Sequence, residues 1–209
     1  MRPARRGASA LAVCASAVAV RASAVAACAS SLAVCASAVA ACALASPRSA
    51  QAQDRLARAE DALWEGDAAA ARAELAAWFE RSAGTASGDD RGRAFLLRAR
   101  LADDPAIAER DYLEVVHGYP TSPAAPEALL RLAQWALERR QAERAVAYLD
   151  RLVADYPAWR RHGEARLWLA RALRAAGRRD EACSIAATAA LASDPYVARL
   201  GQREAAGCG

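Results

Sequence analysis

The chain predicts an all-α solenoid of about four helix pairs, on three observations: a frame that recurs every 37 residues, apolar positions at helical rather than alternating spacing, and Tyr-Pro closures between successive units. Ala71, Ala108, Ala145 and Ala182 mark the frame. Leu75, Tyr112, Leu149 and Ala186 share a second position in it, and Phe95, Leu132 and Leu169 a third. A methyl at the recurring alanine suits the point where the second helix of a pair crosses the first, because interaxial distance follows the size of the side chains at the contact.

Taken in order, the first helix is predicted over 54–65 and the second over 67–81, joined at Gly66, a residue free to adopt the left-handed geometry of helix ends. The one sizeable polar linker, 82–90, follows, and Asp89 or Asp90 is placed to cap the next helix over 91–102. Helices are then expected over 107–117, 126–139, 142–155, 163–176 and 179–192, with Gly177 in the last paired turn and a possible short helix over 196–206. Tyr148, Leu149, Leu152, Val153 and Tyr156 form one apolar stripe. Tyr119-Pro120 and Tyr156-Pro157 end two second helices at the same spacing, because proline disfavours helical geometry in the residue before it. Ser193-Asp194-Pro195 closes the next unit with a one-residue slip, and the first unit lacks a closing proline. Stacking such pairs buries a continuous core that no single pair can build.

The first 52 residues differ sharply from the rest. They hold five arginines and no Asp or Glu, and run from the basic start Arg2, Arg5 and Arg6 through an Ala/Val/Leu/Cys/Ser stretch to Ala50-Gln51-Ala52. That order is the pattern of a signal peptide, 1–52, with cleavage between Ala52 and Gln53. Two other readings stand beside it. Val39-Ala40-Ala41-Cys42 resembles a lipobox, which would make Cys42 a lipidation site, although Val25-Ala26-Ala27-Cys28 fits equally well; and residues 22–45 form a charge-free run of spanning length. Membrane contact is expected only if the leader is lipidated or retained.

After position 52 the chain carries 23 arginines against 24 acids, a net charge of −1, so the basic character of the whole belongs to the leader. A near-neutral body gives no electrostatic case for binding nucleic acid. There is no lysine at all, which makes arginine-rich stretches weaker evidence of anion binding than usual. Four of the six cysteines fall in the leader, leaving Cys183 and Cys208, a possible disulfide in an oxidising compartment or else one buried and one free thiol.

Nothing here reads as catalytic machinery, and no cofactor or metal is expected. His117 and His162, the only histidines, stand apart from any ligand-spaced Cys or acid, and His117 suits a helix C-terminus. Asp89-Asp90 and Asp103-Asp104 sit where helix caps are needed. Of the five tryptophans, Trp64, Trp78, Trp135 and Trp168 fall in the helical frame and are expected in the core, whereas Trp159, in a connection, is the one expected at the surface.

The sequence of apolar helix, Gly-containing turn, alanine, Leu or aromatic four residues on, and Tyr-Pro resembles a tetratricopeptide repeat over residues 54–195. The 37-residue period with Tyr-Pro boundaries is similar to the subgroup that includes the periplasmic Tol-Pal-associated cell-division coordinator and the outer-membrane-assembly lipoprotein. The resemblance implies a right-handed α-solenoid over 53–195 with 196–209 as a C-terminal capping helix or tail. It also implies a concave groove lined by the first helices, where Arg93, Leu97, Arg100, Leu130, Gln134, Leu137, Leu167, Arg171 and Arg174 would lie, with Trp159 on the connection edge. Such a groove, mixed apolar and basic, suits an acidic segment of a partner protein. The expected function is a non-catalytic binding scaffold of the bacterial envelope, periplasmic or associated with the outer membrane, whose partner is another envelope protein or peptide. The alternative is an outer-membrane-associated structural lipoprotein acting by self-association or cell-wall contact.

Overall fold

Helices of about 12–15 residues are marginal in water by themselves, so each must be held by a neighbour. The computed structural model describes residues 47–208, and these form nine helices and no strand. They are α1 (Pro47–Glu65), α2 (Ala68–Arg81), α3 (Gly88–Leu101), α4 (Pro105–Gly118), α5 (Ala125–Glu138), α6 (Ala142–Asp155), α7 (His162–Ala175), α8 (Arg179–Ala189) and α9 (Pro195–Ala206). Every helix packs on the next, and α1 also meets α3, α5 meets α7, and α7 meets α9. The result is the all-α solenoid of helix pairs that the period demands, with α9 laid against α7 and α8 at its end.

The recurring alanines behave as the frame requires. Ala71, Ala145 and Ala182 are fully buried and Ala108 is 2% exposed. The core falls into two clusters: one joins α1, α2 and α3 around Leu56, Leu75, Trp78 and Leu97, and the other runs from Ala99 on α3 to Ala182 on α8. The paired turns are closed by left-handed residues, Gly66 at φ 86° and Gly177 at φ 80°, each with its N–H bonded three residues back. The third pair makes the same turn with Arg140 at φ 58°, one period before Gly177.

Three expected boundaries move by three residues or more, one of them the end of α8, at Ala189 rather than at 192. Helix α1 begins at Pro47 rather than at 54, which puts Ala50-Gln51-Ala52 inside it and buries Ala52 with Leu56 and Ala59 in the first core. Helix α3 begins at Gly88, so Ser87 is its cap in place of Asp89 or Asp90: the Asp90 N–H donates to Ser87 Oγ at 3.0 Å, and both acids sit in the first turn, where the positive end of the helix dipole favours them. Asp104 and Asp194 cap α4 and α9, each followed by proline. Residues 1–46, with the spanning-length run 22–45 and the lipidation candidate Cys42, lie outside the described residues; among the described ones no helix is long and apolar enough to cross a membrane.

Candidate functional site: the face of the first helices

Contacts between alternate helices place α1 beside α3, α5 beside α7, and α7 beside α9, so the first members of the pairs share one face of the stack. Its long side chains are largely committed to one another. Arg93 on α3 forks onto Glu60 of α1 through Nε and Nη2, and Arg161 joins Glu127 of α5 to Glu164 of α7. Arg171 and Arg174 of α7 both donate to the carboxylate of Glu204 on α9, and Arg174 also reaches the Glu204 carbonyl at 2.9 Å. Glu60–Arg93, Glu127–Arg161 and Arg171–Glu204 are 33, 34 and 33 residues apart, one period less about one helical turn, the offset that brings neighbouring first helices into side-chain reach.

The opposite side of the stack is stitched in the same way. Glu109 of α4 accepts from Arg139 at 2.8 Å and from Arg144 at 2.7 Å, and this pairing holds its carboxyl below the ordinary glutamate value, with the Arg139 hydrogen bond the largest cause. Glu164 is held below its ordinary value chiefly by its hydrogen bond from Arg161. Asp111, 1% exposed in α4, accepts a fork from Arg98 at 2.6 and 2.9 Å. Gly92 lets α3 approach the α4–α5 connection, since a Cβ there would lie 2.8 Å from Ser122 Cβ.

This arrangement corrects the expected groove. Leu97 is 1% exposed, Leu130 fully buried and Leu167 2% exposed, and Leu97 belongs to the first core and Leu130 to the second, so none of the three lines an open groove. Arg93, Arg171 and Arg174 lie at the face but are neutralised by acids of neighbouring helices, so they do not form a free basic surface. Gln134 is half-buried and its amide oxygen accepts from Arg131, while Leu137 is half-buried against the second core. Trp159 is half-buried on that core, with Arg161 5.3 Å from its ring centre, rather than exposed. Arg100 is exposed and has no ion pair among the described residues.

The tryptophan at the surface is Trp64, 92% exposed where core was expected. It sits at the end of α1, and among the described residues no pair packs on that side. Trp64 lines an opening of about 390 Å³ with Glu60, Asp61, Leu63 and Arg100. Trp78 alone of the five is fully buried. The structure also bonds Cys183 on α8 to Cys208, just beyond α9, with Cα atoms 5.8 Å apart, tying the capping helix to the fourth pair. His117 is exposed in the last turn of α4, and His162 Nδ1 lies 3.3 Å from the Tyr156 carbonyl.

Stacked helix pairs with a shared first-helix face define a helical-repeat protein. Residues 127–158 and 164–190, which are α5–α6 and α7–α8, match the family model described as Tetratricopeptide repeat. The fold is an all-α solenoid of tetratricopeptide type, and such repeats generally mediate protein–protein interaction and are typically non-catalytic scaffolds. No curated protein and no solved structure matches the chain.

Proposed function

We propose that the chain is a non-catalytic, protein-binding scaffold of the bacterial cell envelope that presents its first-helix face to a segment of an envelope partner. The observation that carries the binding face is Trp64, a large aromatic left 92% exposed beside the unpaired Arg100; tryptophan and arginine are the side chains most enriched at binding hot spots. The segment received there carries an apolar anchor for Trp64 and an acceptor for Arg100, rather than the run of acids that a wholly basic groove would call for. Export is supported by the leader pattern and by the Cys183–Cys208 bond, a link that persists in oxidising compartments. The 37-residue period with Tyr-Pro boundaries supports the periplasmic subgroup named by resemblance.

A photo-crosslinking residue at position 100 tests the face. In the native host it is expected to capture one envelope protein, while the same residue at exposed Glu114 on α4 captures none. Capture of other copies of this chain instead would favour self-association, and equal capture from both positions would remove the face from the account. Mass analysis of the recovered protein tests export: a chain starting at Gln53 supports secretion, an acylated Cys42 makes it a lipoprotein, and an intact leader removes both.

A further inference from the structure

The stack ends in two helix faces that nothing covers among the described residues. Helix α1 packs on α2 and α3 at one end, and α9 on α7 and α8 at the other. Along α1, Ala52, Leu56 and Ala59 turn inward, while Asp54, Asp61 and Glu65 stand exposed on the far side, seven and four residues apart and so on one line of the helix. None of the three makes an ion pair among the described residues, and Arg58, an exposed cation on that side, reaches back to Glu74. Along α9, Val197 and Gly201 turn inward, and Glu204 accepts from Arg171 and Arg174. Arg199 and Arg203, one turn apart, stand exposed with no acid partner among the described residues, near Tyr196, 63% exposed, and Leu191, 85% exposed just before the helix.

The two ends therefore carry opposite charge. Residues 47–81, α1 and α2, hold five arginines against seven acids, a net of −2, and residues 162–206, α7 to α9, hold seven against five, a net of +2. A body that is close to neutral as a whole is polarised along its stack. Of the four large apolar side chains left exposed among the described residues, Trp64 is on α1 and Leu191 and Tyr196 are at α9, with Ile107 alone between the ends. A helix that merely closed a stack would need a polar outer face, with no reason for one sign of charge at one end and the other sign at the opposite end. Inside the chain, Glu60 with Arg93 and Arg171 with Glu204 already join successive first helices, so each end offers one half of a seam of that kind.

We propose that the occupant of each end is a second copy of this chain, with the α9 end of one copy docked on the α1 end of the next. Arg199 and Arg203 donate to Asp61 and Glu65, whose four-residue spacing matches theirs, and Tyr196 and Leu191 supply the apolar part of the contact. The two surfaces differ, so the contact is head-to-tail, does not close as a two-fold dimer, and lengthens the stack when repeated. It needs neither Arg100 nor an envelope partner, and goes beyond the binding face proposed above.

Sedimentation velocity on the protein recovered from its native host is the test. In about 20 mM salt the mean sedimentation coefficient is expected to rise with protein concentration up to about 1 mM, without a plateau at the dimer, and in about 500 mM salt association should weaken about tenfold, because exposed ion pairs are screened. Arg199→Gln with Arg203→Gln, and separately Asp54→Asn with Glu65→Gln, should each weaken it about tenfold with unchanged far-ultraviolet circular dichroism; Asp61 is left in place because it also lines the Trp64 opening. Glu114→Gln with Glu138→Gln, the same charge change on exposed residues between the ends, should leave association as it was. Mixed together, the two weakened variants should recover a one-to-one contact, since one keeps an intact α1 end and the other an intact α9 end. Nitrogen-15 label in the α9 variant should then report shifts in its α1 and not in its α9. A sedimentation coefficient independent of concentration, a plateau at the dimer, undiminished association in either end variant, or a mixture no stronger than its parts would each overturn the proposal. Capture of an envelope protein at position 100 is untouched by any of these outcomes, so the two readings fail separately.

Discussion

The first helix pair and the third share one frame and fill it differently. Ala71 and Ala145 are both fully buried where the helices cross, and Leu75 and Leu149 lie 3% and 0% exposed one turn on. Two periods separate Trp78 from Leu152, and both are fully buried, a tryptophan doing in one pair what a leucine does in the other. The pairs part at their closures: α6 ends in Tyr156-Pro157, with Tyr156 bonded back to Pro120, whereas α2 runs into Ser82, Ala83 and Gly84 and leaves an aromatic cleft. The frame therefore depends on the small residues and the turns, while bulk elsewhere can be exchanged and the seam between pairs is where individuality enters.

The sharpest way to break that comparison is to treat alike two tryptophans of the first pair. Trp78→Ala should cost about 3–5 kcal/mol, since it empties the centre of the first core, whereas Trp64→Ala should stay within about 0.5 kcal/mol. Urea unfolding followed by circular dichroism measures both; similar losses would mean that Trp64 is covered in solution.

A smaller effect tests the shared frame itself. Leucine at Ala71 or at Ala145 should force apart its helix pair at a cost of about 1–3 kcal/mol in either region, while Ala158→Leu, in an exposed connection, should cost less than about 0.5 kcal/mol. If only the third pair responds in thermal melts, the first pair does not share the crossing.

What could be read in advance follows the same division. The frame alanines, the turns at Gly66 and Gly177 and most helix limits were legible because each is set by a local demand that recurs every 37 residues. The start of α1 was not, because the alanine-rich run before residue 54 reads as leader and as helix alike. The groove arginines misled for a different reason. Their side chains reach acids about one period away, so Arg93, Arg171 and Arg174 close internal pairs with Glu60 and Glu204 and leave no free basic surface. A search for Arg and Glu one period less one turn apart would have found the pairs. The missing proline after α2 was visible, but the aromatic cleft it opens depends on how Tyr119 folds back from the next pair.

The seam between the second and third pairs carries its own pH dependence. Glu109 of α4 is held below the ordinary glutamate value of 4.5 by Arg139 and Arg144, so its contribution to stability is fully present above that value and is lost as pH falls through the lower folded one. At the next seam Asp150 of α6, beside Arg178 and Glu181 of the fourth pair, is raised above 3.8 by burial and works in the opposite sense: its contribution is present below that value and is lost as pH rises. Melting temperature should fall on acidification below about pH 4.5 and Glu109→Gln should shallow that fall, by an amount no larger than about 1 kcal/mol for a partly exposed pair. An unchanged acid limb in the variant would remove Glu109 from the seam.

The smallest effect asks whether the turns of the two pairs are interchangeable. Gly66 turns from α1 to α2 at φ 86°, and its counterpart two periods on, Arg140, turns from α5 to α6 at φ 58° with the same bond pattern, its N–H to the Leu137 carbonyl at 2.9 Å and that of Gln141 to the Ala136 carbonyl at 2.8 Å. An L-residue held left-handed costs about 1–2 kcal/mol, and glycine avoids that strain while giving up about 0.5–1 kcal/mol of chain entropy on folding. The Arg140 side chain is exposed and makes no ion pair among the described residues, so little else is lost on its removal. Arg140→Gly should therefore stabilise the chain by about 0.5 kcal/mol, and Gly66→Arg, the reverse exchange, should destabilise it by about as much. Both follow from urea midpoints at equal slope. A loss of stability in Arg140→Gly would show that the third pair draws on this arginine for more than its backbone, and the two turns would then be alike in geometry only.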